Sequence, residues 1–564
     1  MKKPLSMLAI LVAVSPLAQA SQSPFFTIVD DEIQGYATGI SEDGSQLVGI
    51  NTKNNQADYF STVPFADFLV DRFRFDDKCM LSDNACDAFW GETEPGFAHQ
   101  WRTDFLDDID QRSNVGGEGG SESDGLITAL GETASTRVGY QIQEKTSGKV
   151  TGMKLRTAFA VIDNGAPVFL FDEASDENHE PHSLSVATGI KRLDDDELLV
   201  FGTSATGRNK SHSVDDEPYE FCFAGLDDKE EDENAFRELS EYRYCPGVDT
   251  QASFWWLKND GSLKELLLPE QYASGDNQSE ALQTASVLGV AEVFDGRDWF
   301  GVGYSTVVTG NEEQVALRGR NLATYWQLDL EGTGKVHETT VIPLPAGEPG
   351  GDLRHTWAVG INENGYVIGN QRQATAKGEN RPVEMFVFNL ATPEVAAVVP
   401  LQDDPIVGAG SEAAAINDHD MVVGWRDARG QDDNVVDGAA NRLQEAFLLD
   451  APTGNNWYIN DLICGLDDDG EKLCQQNGFY YHIANAVDIS SDGTVAATAY
   501  RYSSESDLNE RINETVVSVR LVPVEKDYEG DTPEDYEVSE DGGGSAFWLM
   551  LLMLPFVWWR RYQR

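Results

Sequence analysis

Few residues of this 564-residue chain are spaced for familiar catalysis. No Gly-x-Ser-x-Gly elbow exposes a nucleophilic serine, and no His-Glu-x-x-His sets two imidazoles one helical turn apart for zinc. The nearest run, His179-Glu180-Pro181-His182, carries a proline that spoils a helical ligand face. The glycine-rich stretch Gly116 to Gly120 lacks the Lys-Ser/Thr that completes a phosphate loop. Carboxylates are abundant, 96 Asp plus Glu against 41 Lys plus Arg, for a net charge of −55. A pair fit to cleave a glycoside could therefore lie anywhere, and neighbouring acids in the sequence do not identify it. His355, beside Trp357, and His419, in a turn, read as structural. The binding candidates left are Trp90 and Trp101, large aromatics in a segment that departs from the pattern of the rest. No cofactor is expected, with a Ca²⁺-stabilised scaffold as the one metal reading kept.

The charge also excludes partners. Nucleic-acid binding needs a basic footprint, and docking on an anionic lipid surface needs the same. With 41% hydrophobic residues the chain has ample material for a core.

The elements that would position a site come from a repeat. A small residue, an Ile, a polar turn with Asp or Asn plus Gly, two or three apolar residues and a closing Gly recur along the chain. The clearest copies run from Ala358 to Gly369 and from Ala414 to Gly424; others run from Thr38 to Gly49 and from Ala486 to Ala497. Weaker ones run from Ala187 to Gly202, Leu288 to Gly303 and Ile127 to Gly139. Strand, Asp-Gly or Asn-Gly turn, strand predicts a β-hairpin, because those turn residues tolerate positive φ. The closing Gly suggests two backbones in close approach. An aromatic strand and a Leu/Val strand follow each copy, as in Phe254-Trp255-Trp256-Leu257 with Leu266-Leu267-Leu268, or Met385-Phe386-Val387-Phe388 with Val398-Val399. Four strands per unit predict an all-β propeller of about seven blades, with a β-sandwich array or solenoid as the competing architecture. Phe25 to Val29 looks like the last strand of a unit whose preceding strand is Val516 to Val522, so pairing them would close the ring. Residues 55–125 and 207–249 interrupt the repeat and are expected to rise from one rim, where binding usually lives.

The ends read as addresses. Lys2 and Lys3, the apolar run Leu5 to Leu17 and Ala18-Gln19-Ala20 predict a signal peptide over 1–20, cut between Ala20 and Ser21. The repeat body covers 21–524. Residues 525–541 hold nine acids and one base, which reads as a flexible acidic stalk. Gly542, Gly543 and Gly544 precede an apolar stretch, Ala546 to Trp559, and then Arg560, Arg561 and Arg564. Six cysteines, in an exported chain, fall into three local pairs: Cys79/Cys86, Cys222/Cys245 and Cys464/Cys474. An even count predicts disulfides; six cysteines allow 15 connectivities, and proximity favours the local ones.

The tail over 542–564 resembles the GlyGly-CTERM sorting signal of Gram-negative bacteria. That resemblance implies cleavage at the Gly run by a rhomboid-type intramembrane protease, transient inner-membrane anchoring, and passage to the cell surface, often by type II secretion. A plain anchor holding the protein in the periplasm is the alternative. The repeats resemble HAF-type repeats of exported bacterial proteins, and the whole order looks like a bacterial family of unknown function with that architecture. The turns Ser41 to Gly44 and Ser490 to Gly493 resemble sialidase Asp-boxes without the residue between Asp and Gly, and read as structural turns. The expectation is an exported binding or scaffold protein whose partner is a protein, a glycan or an envelope component; the alternative is a secreted polysaccharide hydrolase or lyase using rim or channel carboxylates.

Overall fold

Seven of the recurring segments fold as antiparallel hairpins, each forming the first two strands of a small sheet. In the computed structural model the described residues are 23–31, 33–51, 74–75, 78–79, 112–116, 121–144, 154–170, 185–194, 196–208, 248–269, 284–294, 296, 298–307, 320–345, 353–373, 382–429, 443–466 and 472–524. The sheets form a ring, a seven-bladed β-propeller. In chain order the blades lie within 35–124, 126–170, 185–267, 285–341, 353–398, 411–458 and 480–523, the last completed by residues 26–30. The inner strands are Gly35–Ile40, Leu126–Leu130, Ser185–Asp194, Ala285–Val293, Leu353–Ile361, Ser411–Ile416 and Tyr480–Ile489, and each touches the next around the axis. Blade 5 has a reduced fourth strand, a single bridge between Val387 and Val398.

The closing Gly is explained by a bulge. Every inner strand skips at least one residue against its partner, for example at Thr128 between Ile127 and Ala129, at Thr188, and at Leu288. The bulge drives an inner-strand carbonyl into the place of the partner's side chain. A Cβ on Gly139 would sit 1.9 Å from the Leu126 oxygen, on Gly303 1.9 Å from that of Ser286, and on Gly424 2.0 Å from that of Glu412. Blade 7 carries Ala497 at this position. The turns match expectation: Gly44, Gly365 and Gly493 have φ of 68°, 82° and 80°, and in blade 6 Asp420 takes that role at 63°.

Middle strands are pressed between two neighbouring blades, so both faces are buried and the sequence runs apolar without alternation. Along Val383–Asn389, Phe386 and Phe388 enter the interface with blade 4, while Met385 and Val387 enter that with blade 6. The core is thus divided into layers, with a hydrophobic cluster in each blade-to-blade interface.

Ring closure follows the sequence reading. Phe26–Asp30 pairs antiparallel with Thr515–Pro523, Phe26 opposite Pro523 and Ile28 opposite Leu521. The open edge of this strand is capped by side chains. Ile28 N–H donates to Gln476 Oε1 (2.8 Å), Gln476 Nε2 donates to the Phe26 oxygen (3.0 Å), and Asn477 Nδ2 to the Ile28 oxygen (2.9 Å). The Cys464–Cys474 disulfide staples the segment that delivers these caps. Ion pairs Arg501–Asp30 and Arg520–Asp31 hold the strand from the other side.

The interruptions are narrower than the sequence suggested. Arg112–Val115 and Ser121–Asp124, read as the end of the first, are the outer strands of blade 1, and the ends of the second continue the strands Glu197–Arg208 and Val248–Lys258. Arg112–Val115 and Ser121–Asp124 are short and polar, and carry no apolar pattern to announce them.

Candidate functional site

The propeller's two faces are built differently. The short turns between first and second strands share one face, because they are hydrogen-bonded to each other. Phe294 N–H donates to the Glu363 oxygen, Asn362 Nδ2 to the Asn417 oxygen, Asn417 Nδ2 to the Ser490 oxygen, Ser491 N–H to the Glu42 oxygen and Glu42 N–H to the Gly131 oxygen. Blade 3 joins through Lys191 to Glu42 and Arg192 to Glu132. The connections between second and third strands therefore all leave from the opposite face. The strand ends at Asn51, Arg112, Arg208 and Val248, which flank the two interruptions, lie on this same side of the ring. The turn-bearing face is stitched by short turns, and the longer connections in the sequence start and end on the loop-bearing face.

Near the axis on the turn-bearing face, six blades contribute a charged group: Glu42, Lys191, Glu292, Glu363, Asp418 and Asp488. Lys191 Nζ lies 2.7 Å from Glu42 Oε1. 39% of its side-chain surface stays accessible. Burial alone would lower its pKa, but Glu42, Asp418 and Glu363 together outweigh that and hold the ammonium above its usual value. Glu363 is pushed up chiefly by neighbouring Asp418, whose Oδ1 also accepts from the Glu363 N–H at 3.1 Å. Among the described residues no group of three or more His, Cys, Asp or Glu converges to hold a metal ion.

Asp488 is half-buried in the seam between blades 7 and 1. Its Oδ2 accepts from Ile40 N–H and its Oδ1 from Ile489 N–H, each at 2.9 Å, so it ties blade 7 to blade 1. Burial pushes its pKa to about 6, above the 3.8 of an ordinary Asp. The folded form thus holds a proton more tightly than the unfolded one. Stability should be lowest above pH 6 and rise as pH falls through 6, the gain being complete below the unfolded value. The difference is on the order of 2–3 kcal/mol at 1.36 kcal/mol per unit. Asp488→Asn should show a flatter stability–pH curve than the parent between pH 7.5 and 4.5. Urea unfolding at both pH values checks this; parallel curves for the two proteins would refute it.

On the loop-bearing side of blade 6, Arg426 is fully buried. Its Nη1 donates to Asn456 Oδ1 (2.7 Å), Nη2 lies 2.6 Å from Asp404 Oδ2, and the guanidinium sits 4.4 Å from the Tyr458 ring centre. Arg429 also lies over Tyr458, at 4.0 Å, and engages Asp461 with both terminal nitrogens. Burial pushes the Tyr458 hydroxyl up to about 12, so it stays protonated. These partners are protein groups, and the network braces the 399–410 connection against blade 6.

Of the residues singled out in the sequence, Cys464 and Cys474 form the expected disulfide. The Ser41 and Ser490 turns are structural: each serine hydroxyl donates to the turn aspartate, Asp43 at 2.6 Å and Asp492 at 2.5 Å. His355 Nδ1 accepts from the Asn321 N–H at 3.3 Å, fixing it between blades. Trp90, Trp101, His179, His182, Cys86, Cys222, Cys245 and the Cys79 side chain lie outside the described residues, as do the segments 1–20 and 525–564. Lys191, Glu363, Asp418 and Asp488 were not singled out. Their common signal is position, since each sits at or beside the first turn of a repeat copy.

A model of the family described as "Protein of unknown function (DUF3466)" matches residues 155–562. No curated protein matches the chain significantly. Among solved structures, it is similar to Kuenenia stuttgartiensis hydrazine synthase (10% identity, 90% of this chain and 98% of that chain, TM-score 0.35). It is also similar to the Bombyx mori GH32 beta-fructofuranosidase (8% identity, 89% and 92%, TM-score 0.27). A third is the Pyrococcus horikoshii acylaminoacyl peptidase (10% identity, 72% and 50%, TM-score 0.31). Likenesses this distant assign no activity.

Proposed function

The chain belongs to the DUF3466 family, described as proteins of unknown function, and from that membership and the fold we propose that it is an exported binding or scaffold protein acting through the loop-bearing face of its propeller. The observation that carries this is the asymmetry of the ring: one face is locked turn to turn, and the other gives out the long connections at 52–111 and 209–247. Such connections on a rigid frame are where recognition is placed. Trp90 and Trp101, in the first of them, are the anchors we favour. A net charge of −55 selects against acidic partners and favours neutral or cationic protein, glycan or envelope material. The signal-like start, the Gly542-Gly543-Gly544 tail, its likeness to GlyGly-CTERM signals and that of the repeats to HAF-type repeats support export to the cell surface or medium through the periplasm.

The test is a glycan array together with capture of purified envelope fractions by residues 21–541, comparing the parent with Trp90→Ala/Trp101→Ala. Saturable binding reduced at least tenfold in the double variant, with an unchanged melting curve, is expected. Absence of binding to both sets of probes would reject the reading.

Polysaccharide cleavage has one observation in its favour. Glu363, whose carboxyl is pushed toward higher pH chiefly by the charge of Asp418, lies beside a second carboxyl group, the pairing that acid-base cleavage of a glycoside needs. Turnover of a polysaccharide by the parent and its loss in Glu363→Gln would establish it; no turnover across a polysaccharide panel would remove it.

A further inference from the structure

Both ends of the body leave it at one point. Val524 N–H donates to the Phe25 oxygen at 2.9 Å, and Phe26 lies opposite Pro523. That point belongs to the turn-bearing face: Val495, the first residue after the 490–494 turn, lies opposite Leu521, which lies opposite Ile28. Arg520 confirms the level, since its Nη1 donates to the oxygen of Gly44 in the first turn of blade 1 at 3.1 Å. At the far end of blade 7, Arg501 lies opposite Thr515, and the helix Glu505–Glu510 follows on the loop-bearing side.

We propose that the protein is held with its turn-bearing face toward the membrane that anchors it, presenting the loop-bearing face outward to its partner. The inference rests on the export and tail reading above. The sequence after Val524 is an acidic run over 525–541, then the Gly run and the apolar stretch Ala546 to Trp559. Any membrane anchorage through that stretch pulls on the turn-bearing face.

The test is energy transfer from the full-length chain, tail intact, in phosphatidylethanolamine/phosphatidylglycerol vesicles carrying an acceptor-labelled lipid. A donor is placed by Ser45→Cys, exposed in a turn of the turn-bearing face, or by Ser506→Cys, exposed in the helix on the opposite side. At least threefold faster transfer from position 45 is expected. Equal or reversed transfer, with the chain retained on the vesicles, would overturn the orientation alone. A chain that does not stay on the vesicles would overturn the anchor reading, and the orientation with it.

Discussion

Ile28→Asp is expected to abolish cooperative unfolding of the body, or to lower its stability by at least about 4 kcal/mol, whereas Thr27→Ala one residue away should change it by less than about 0.5 kcal/mol. Ile28 is 2% exposed and packs in the cluster that joins blades 6 and 7, while Thr27 faces solvent. Truncating such a side chain costs about 2–5 kcal/mol, and replacing it by an unpaired carboxylate adds desolvation. Against a typical total of about 5–15 kcal/mol this is enough to open the ring. An open ring bares the edge of Thr515–Pro523, a template for pairing with another chain. A chain lacking residues 23–31 should therefore associate, and a peptide of that sequence added in trans should restore a monomer. Urea unfolding and sedimentation velocity report both effects. An Ile28→Asp protein with the parent's midpoint would show that closure by the N-terminal strand contributes little.

The second large effect concerns Gly303. Gly303→Ala is expected to cost about 3 kcal/mol, the upper end for overpacking, because its Cβ would come 1.9 Å from the Ser286 carbonyl oxygen. Neither group is the loose end of a side chain: one is a strand backbone and the other a bulge in the inner strand beside it. Gly139→Ala, with the same 1.9 Å approach to Leu126, should behave alike. Gly332→Ala is the comparison, since nothing lies within 4 Å and only its φ of 67° resists, worth about 1–2 kcal/mol. Gly303→Ala and Gly332→Ala of equal cost would show that the bulge yields easily and that the closing Gly serves another purpose.

Much of this fold was legible because the repeat carries its own mechanism. The Asp-Gly and Asn-Gly turns, the closing Gly and the two-sided apolar strands follow from positive φ, backbone crowding and burial on both faces. The closing pair of end strands was also readable, since Phe25 to Val29 has no partner near it in sequence. What the sequence hid lies in long-range pairing of polar residues. Gln476 and Asn477 cap a strand about 450 residues away, and Lys191 meets Glu42 across the ring. Among 96 acids, only a place at or beside the first turn of a repeat copy sets Glu363 and Asp488 apart, and many other acids share such turns.

The most direct measurement of the account is hydrogen exchange of the soluble body with and without the saturating envelope or glycan partner found by capture. The account predicts protection confined to the loop-bearing face, in the peptides covering 52–111, 209–247 and the ends of the second and third strands, with the turns at 41–46, 362–365, 417–420 and 490–494 unchanged. Protection centred on those turns, with the long connections exchanging as before, would contradict it.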